Sequence, residues 1–215
     1  MIKLLRNLKT DFVYIPNKGN GGDALIAAAT YQLFDNLDLS YEIATADVEH
    51  EGRTLIYGGG GNFIEKYGCC KKFLERNMND NKIIILPHTI RKNKKLITKF
   101  DNNITVFCRE IKSYNYVSSI IKNKENVHLS KDVAFYLDVS KYKDKGKGVL
   151  NYFRNDIEKT DIELPVDNID LSVEIVYDKS MSDKKATIKN AYDILDVMSK
   201  YEVINTNRLH GGIAG

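Results

Sequence analysis

This chain of 215 residues is poor in cysteine, with only Cys69, Cys70 and Cys108. An odd number that includes a vicinal pair makes a poor disulfide framework, which excludes a small stapled secreted domain and leads us to expect a reducing compartment. The three also lack metal-ligand spacing, and free cysteine is commonly just a small buried side chain. No apolar run reaches the ~18 residues of a membrane-spanning helix. Met1 to Leu8 carries Lys3 and Arg6 but no apolar h-region or cleavage site, so no signal peptide is read. A cytoplasmic location is therefore expected, with any lipid-carried substrate met by peripheral contact at the membrane surface. Charge of one sign is lacking too. Lysine and arginine number 32 against 29 acidic residues, a formal charge of +3. The lysines are spread along the chain, which excludes the basic stripe of a nucleic-acid binder and suits an anionic substrate weakly. No internal repeat and no low-complexity tract is present.

What remains is ordinary globular composition, 43% hydrophobic and 28% charged. The length fits one large domain, or about one and a half at roughly 100–200 residues each. Short apolar runs alternate with helical patterns. Strands are expected at 12–15, 41–44, 54–57, 82–86, 104–108 and 127–130. Helices are expected at 23–34, from about 63 to 78, from about 92 to 100, and at 111–121. Ile83, Ile84 and Ile85 form the β-branched run of a strand buried on both faces. This alternation predicts an α/β fold, a parallel sheet with helices on both faces. A polar, lysine-rich stretch at 138–147 reads as a linker. A strand at 149–153, a helix at 184–200 and a strand at 202–205 follow. The expected organisation is an N-terminal Rossmann-like domain over 1–140 and a partial second Rossmann-like half over 141–215. One strand, one helix and another strand do not close a doubly wound domain.

Ligands of open parallel sheets bind beyond the carboxyl ends of the strands, so the residues there hold the chemical information. Gly19-Asn20-Gly21-Gly22-Asp23 follows the first strand. Its glycines allow close approach of backbone to a ligand, and the helix behind offers N–H groups to an anion. Asn20 and Asp23 are candidate substrate contacts; Asp23 equally reads as a helix cap. Gly19, Gly21 and Ala24 also fit the dinucleotide fingerprint, with Glu42 near the place of a ribose-binding acid, although Asp23 would repel a pyrophosphate. Gly58 to Gly61 ahead of Asn62 reads as a four-glycine loop, more freedom than a tight turn needs. Gly59, Gly60 and Asn62 are candidates there. His88, in Pro87-His88-Thr89 after the isoleucine strand, is either a satisfied polar residue or a functional one. Arg109, in Cys108-Arg109-Glu110, is either a structural bridge to Glu110 or a neighbouring carboxylate, or a bidentate clamp on an anion. In Asn205 to Gly212, Arg208 and His210 set an anion clamp beside a proton-transfer group. Asn207 is a cap or a substrate contact, and Arg154, after the strand at 149–153, is a further contact.

Taken in order, NKGNGGD (17–23), GGGGN (58–62), LPHTI (86–90), CRE (108–110), DVAFYL (132–137) and TNRLHGG (206–212) resemble the polysaccharide pyruvyl transferase family over essentially the whole chain. The resemblance implies transfer of a pyruvyl group from phosphoenolpyruvate to two hydroxyls of a sugar in a cell-surface or capsular polysaccharide precursor, forming a cyclic ketal with loss of phosphate. It implies a fold similar to the two-domain GT-B glycosyltransferases, with the active site in the cleft between halves. His210 would carry the proton work, Arg208 and Arg109 would hold the donor, and His88 would assist donor binding or proton transfer. Phosphoenolpyruvate is the co-substrate, and no metal or nucleotide cofactor is required. The partner is a saccharide, as a nucleotide sugar, a lipid-linked sugar or a polymer, and no nucleic acid is expected. Many members have Gln-Ser in place of His88-Thr89, and many have Asp in place of Asn207. Members also continue beyond the segment matching TNRLHGG.

Three other readings compete. A GT-B nucleotide-sugar glycosyltransferase needs a nucleotide pocket that 147–215 does not display. A non-catalytic anion- or carbohydrate-binding remnant fits a chain stopping at Gly215. An NAD-dependent oxidoreductase rests on the Gly19-Gly21-Ala24 spacing alone.

Overall fold

The computed structural model describes residues 1–8, 10–142 and 146–215. They form two compact units, Met1–Asn17 with Leu33–Val133 and Lys18–Gln32 with Ala134–Gly215. The elements in chain order are α1 (Ile2–Arg6), β1 (Phe12–Ile15), α2 (Gly21–Asn36), β2 (Tyr41–Ile43), β3 (Thr54–Tyr57), β4 (Gly60–Phe63), α3 (Cys69–Asn77), β5 (Lys82–Ile90), α4 (Lys94–Ile97), β6 (Ile104–Cys108), α5 (Ile111–Ser118), β7 (Val127–Leu129), β8 (Val149–Tyr152), α6 (Leu171–Glu174), α7 (Lys184–Met198), β9 (Val203–Thr206) and α8 (Leu209–Ala214). Short 3₁₀ turns occupy Lys124–Asn126 and Val133–Tyr136.

The first unit is built on a seven-stranded sheet in the order β2-β1-β3-β5-β6-β7, with β4 also paired to β5. Every pairing is parallel. This is the α/β fold that the strand–helix alternation predicts. Ile83, Ile84 and Ile85 are all 0% exposed, so both faces of β5 are covered. On one face Val13, Leu55, Ile83, Ile85 and Val106 pack with Phe73 and Leu74 of α3, Ile97 of α4 and Val117 of α5. On the other, Phe12 and Tyr14 meet the ring of Phe34 edge-on at 5.1 and 5.2 Å. Each buried aliphatic or aromatic side chain contributes about 1.5–3 kcal/mol by leaving water.

Several expectations are corrected here. Gly58 to Gly61 is not wholly a loop, because Gly60 and Gly61 open β4, where Gly60 pairs with His88. The chain from β3 into β4 follows the same edge of β5, with only Gly58 and Gly59 between. Glycine has weak strand propensity, which hides such a segment. His88 and Thr89 lie inside β5, which continues four residues beyond its expected end. Pro87 donates no hydrogen bond, and the pairing of β5 with β6 shifts register between Ile85 and His88. The helix expected from about 63 begins only at Cys69, because Phe63 is paired to Ile90. The helix expected over 92–100 shrinks to α4, since Lys92 and Asn93 are left-handed at φ +57° and +59°.

In the second unit β8 and β9 pair in parallel, from Val149↔Val203 to Tyr152↔Thr206. Helix α7 buries Thr187, Asn190, Ala191, Ile194, Leu195 and Met198, spaced three and four apart along one face. The Asp183 side chain caps it by accepting from Ala186 N at 3.0 Å. Residues Gly21–Gln32 of α2 belong to this unit. There Tyr31 Oη donates to Met181 O at 2.7 Å. The linker expected over 138–147 falls partly on 143–145, outside the described residues.

Candidate active site

In the first unit the strand order reverses between β1 and β3, since β1 runs on to β2 at one side and β3 lies at the other. Open sheets of this kind bind ligands at such a reversal, beyond the carboxyl ends of the strands. The two ends approach closely here. Gly58 N donates to Ile15 O at 2.8 Å. A Cβ on Gly58 would stand 2.7 Å from Asn17 N, so only glycine fits.

Around this point four side chains interlock. The Asn62 amide nitrogen donates to Asn17 Oδ1 and, at 3.1 Å, to Tyr57 Oη. Asn62 Oδ1 lies 3.0 Å from His88 Nε2. An amide oxygen only accepts, so Nε2 of His88 carries the proton. His88 is 0% exposed. Burial, reinforced by the Arg109 charge, lowers its pKa from 6.5 to about 3, against the opposing pull of the Asp132 carboxylate. His88 is therefore neutral at physiological pH.

Arg109 follows β6. Its Nε donates to Thr89 Oγ1 at 2.7 Å and its Nη1 to Asp132 Oδ2 at 2.9 Å. The pair is largely buried, with side chains 12% and 5% exposed. Arg109 Nη2 makes no hydrogen bond among the described residues and lies 3.2 Å from where a side chain on Gly61 would begin. Glu110 does not pair with Arg109. It caps α5 at Ser113 N and binds Arg91 at 2.8 Å. Its pKa falls to about 2: burial acts upward, and the hydrogen bonds from Arg91 and Ser113 outweigh it.

The second unit brings together the two glycine segments most distant in sequence. Asn20 Oδ1 accepts from Gly22 N at 2.9 Å, and Asp23 Oδ2 accepts from Asn20 N at 3.0 Å. This reciprocal capping satisfies donors at the start of α2 from within. It also accounts for Gly19, whose Cβ would stand 1.8 Å from Asp23 Oδ2. The ring of His210, in the first turn of α8, lies against this helix start, with Nδ1 2.8 Å from where a Cβ on Gly22 would be.

Two residues before His210, Arg208 is 5% exposed. Its Nε donates to Asp170 Oδ1 at 2.7 Å, and its Nη2 binds Asp170 Oδ2 and, at 2.9 Å, Asp156 Oδ2. Hydrogen bonds and charge from these carboxylates raise its pKa against the opposing effect of burial. Asn207 Oδ1 accepts from Arg154 N at 2.8 Å. The Arg154 guanidinium pairs with Glu158 and, at 3.4 Å, with Asp156.

A model of the polysaccharide pyruvyl transferase family matches residues 20–215. The chain belongs to that family. It is also similar to a functionally uncharacterized protein of Klebsiella pneumoniae subsp. pneumoniae NTUH-K2044. The crystal structure of that protein superposes with a TM-score of 0.85 at 33% identity, covering 99% of this chain and 82% of that one. Comparison with curated proteins gives no match.

In this chain the first unit groups Asn62, His88 and Arg109 along the carboxyl ends of β4, β5 and β6, with Gly59 in the connection between β3 and β4 and Gly60 at the start of β4. The second unit groups Asn20, Asp23 and His210, and separately Arg154, Asn207 and Arg208. The carboxylates that hold the arginines carry no signal in the sequence. Asp132 stood inside a family segment without a role, whereas Asp156 and Asp170 lie in a stretch with no periodicity to single them out. Tyr57 and Asn17 also went unread, although Asn17 opens the first glycine segment. All three cysteines are free. Among the described residues no helix is long and apolar enough to cross a membrane, and no cluster of three or more His, Cys, Asp or Glu is placed to hold a metal ion.

Proposed function

We propose that this family member transfers the pyruvyl group of phosphoenolpyruvate to two hydroxyls of one sugar in a cell-envelope polysaccharide precursor. The reading is carried by the family match together with the seating of His210 against the start of α2, which joins two of the family segments in one place. In the first step a sugar oxygen bonds to C2 of the donor, the enol methylene gains a proton to become a methyl group, and the hydroxyl proton is lost. In the second step the neighbouring hydroxyl oxygen bonds to C2 and gives up its proton, the C2–O bond to phosphate breaks, and phosphate leaves. The ketal keeps the donor carboxylate.

His210 is the group we assign to proton transfer, imidazole being the side chain best suited to it near neutral pH. Arg109 is assigned to an anionic oxygen of the donor, since one edge of its guanidinium is uncommitted and Gly61 leaves room beside it. Neutral, enclosed His88 is assigned the holding of Asn62 rather than proton exchange. Arg208 is gripped by two carboxylates, and such a cluster repels an anion unless the arginine is released. Its assigned role is to anchor the segment that carries His210. The three unpaired cysteines suit a reducing cytoplasm.

The test is phosphate release from phosphoenolpyruvate with a panel of sugar acceptors, comparing wild type with His210→Ala. Acceptor-dependent release that collapses in the variant supports the assignment. No release with any acceptor, together with no thermal shift by phosphoenolpyruvate, rejects the donor.

A further inference from the structure

Beyond the residues already assigned, the first unit carries a groove of about 680 Å³, lined by the turns after β4 and β5 and by α3, α4 and α5. That volume falls within the roughly 300–1,000 Å³ of small-ligand sites. The groove opens past the carboxyl ends of two parallel strands, where such sheets take ligands. Its rim is rich in lysine. Lys92 pairs with Glu65, and Lys71 pairs with Glu75 at 3.7 Å. Lys94, Lys95 and Lys99 line the same groove, are exposed, and pair with no carboxylate among the described residues. Tyr67 and Tyr116 stand among them. The rim is also fixed in shape. Lys92 and Asn93 are consecutive left-handed residues, a conformation disfavoured by a Cβ. Tyr116 Oη holds the turn by donating to Lys92 O at 2.6 Å.

Three unpaired ammonium groups on a short stretch attract an anion whose charges are spaced along a chain. The two carboxylates in the rim disfavour a continuous phosphate backbone, yet they accept hydrogen bonds from hydroxyls. Tyrosine rings present an apolar face with a polar edge, suited to the C–H face of a sugar. We propose that this groove binds an anionic glycan, whose carboxylate or phosphate groups meet Lys94, Lys95 and Lys99 while its sugar rings lie against Tyr67 and Tyr116. Naming that glycan the acceptor rests on the pyruvyl transferase reading; its binding does not.

The test measures binding of a fluorescent oligogalacturonate to the full chain by anisotropy. Its methyl ester serves as the uncharged counterpart, and an oligodeoxythymidylate of equal charge serves as the competing polyanion. One variant carries Lys94→Gln, Lys95→Gln and Lys99→Gln. A control carries Lys122→Gln, Lys124→Gln and Lys131→Gln, which are exposed, outside the groove, and remove the same charge. The groove variant is expected to weaken oligogalacturonate binding by at least about fivefold, and the control by no more than about twofold. The ester should bind more weakly than the acid. No binding by wild type, equal loss in both variants, equal binding of acid and ester, or tighter binding of the oligodeoxythymidylate overturns the proposal. Phosphate release from phosphoenolpyruvate is followed in parallel. If release is absent while lysine-dependent binding persists, the donor reading falls and the groove stands.

Discussion

Replacing Gly22 by alanine separates activity from stability in a way that depends on the contact with His210. The new Cβ would stand 2.8 Å from His210 Nδ1 and 3.1 Å from Asn20 Oδ1, both side-chain atoms. Ordinary contact begins at about 3.5 Å, so the imidazole must retreat by roughly 0.7 Å. Because the obstacle is a side chain at the rim of a helix, the retreat is inexpensive for the fold. Alanine inside a helix also gains about 0.5–1 kcal/mol over glycine. The two effects nearly cancel, and the unfolding free energy from urea titration is expected to hold within about 1 kcal/mol of wild type. The reaction is less forgiving, because a misplacement on the order of 1 Å at a reacting group lowers the rate by roughly 100-fold. The expected result is a fall of about 10- to 100-fold in kcat/KM for phosphate release from phosphoenolpyruvate, with the fold intact. Unchanged kcat/KM in a Gly22→Ala protein of unchanged stability would refute the reasoning, because His210 would then have moved without consequence.

Other perturbations probe the remaining parts. His88 has a folded pKa near 3 against an ordinary 6.5, so below about pH 6.5 the unfolded chain takes up a proton that the folded chain refuses. Stability is lost as pH falls, by about 2 kcal/mol from this residue at pH 5. His50 and His128 are lowered in the same direction, so urea titrations at pH 7 and pH 5 should be compared with His88→Gln, which is expected to lose about 2 kcal/mol less than wild type; parallel losses would contradict a buried neutral His88. Asp170→Ala strands the Arg208 guanidinium with Asp156 alone and should cost about 3 kcal/mol in denaturant unfolding, whereas a change below about 0.5 kcal/mol would show that the pair behaves as a surface bridge. Gly58→Ala drives a methyl group into the backbone at Asn17, where nothing can turn aside, and should cost about 1–3 kcal/mol by thermal melting; a neutral result would mean that the ends of β1 and β3 do not meet as described.

Much of the fold was legible because burial on both faces leaves a plain mark. Ile83 to Ile85, Phe12 to Ile15 and Ile104 to Cys108 are apolar runs too short for helices, and each is a buried strand. The illegible strand was β4. Gly60, Gly61 and Asn62 have no strand propensity of their own, and the segment is extended because β5 offers it an edge. Propensity was overridden by a tertiary pairing that no local pattern records. The same pairing delayed α3, and left-handed Lys92 and Asn93 shortened α4 for the converse reason, a backbone feature that residue type does not announce.

The glycines show where reading a site from sequence succeeds and where it stops. In the sequence the glycine segments read as places where backbone approaches a ligand. Close approach is indeed what they permit, but part of it is internal. Gly19 makes room for the Asp23 carboxylate, Gly22 for the His210 ring, and Gly58 for the backbone of Asn17. Those positions build the scaffold, and their loss is expected to act through the groups they admit. Gly61 differs, since a side chain there would meet only the Arg109 guanidinium at 3.2 Å. Of the glycines in these segments it most plainly leaves space beside an uncommitted cationic edge. Gly61→Val should therefore weaken phosphoenolpyruvate binding, read as loss of its thermal shift, while the unliganded melting point stays near that of wild type. Loss of both together would place Gly61 with the scaffold glycines and remove the main support for Arg109 as a donor contact.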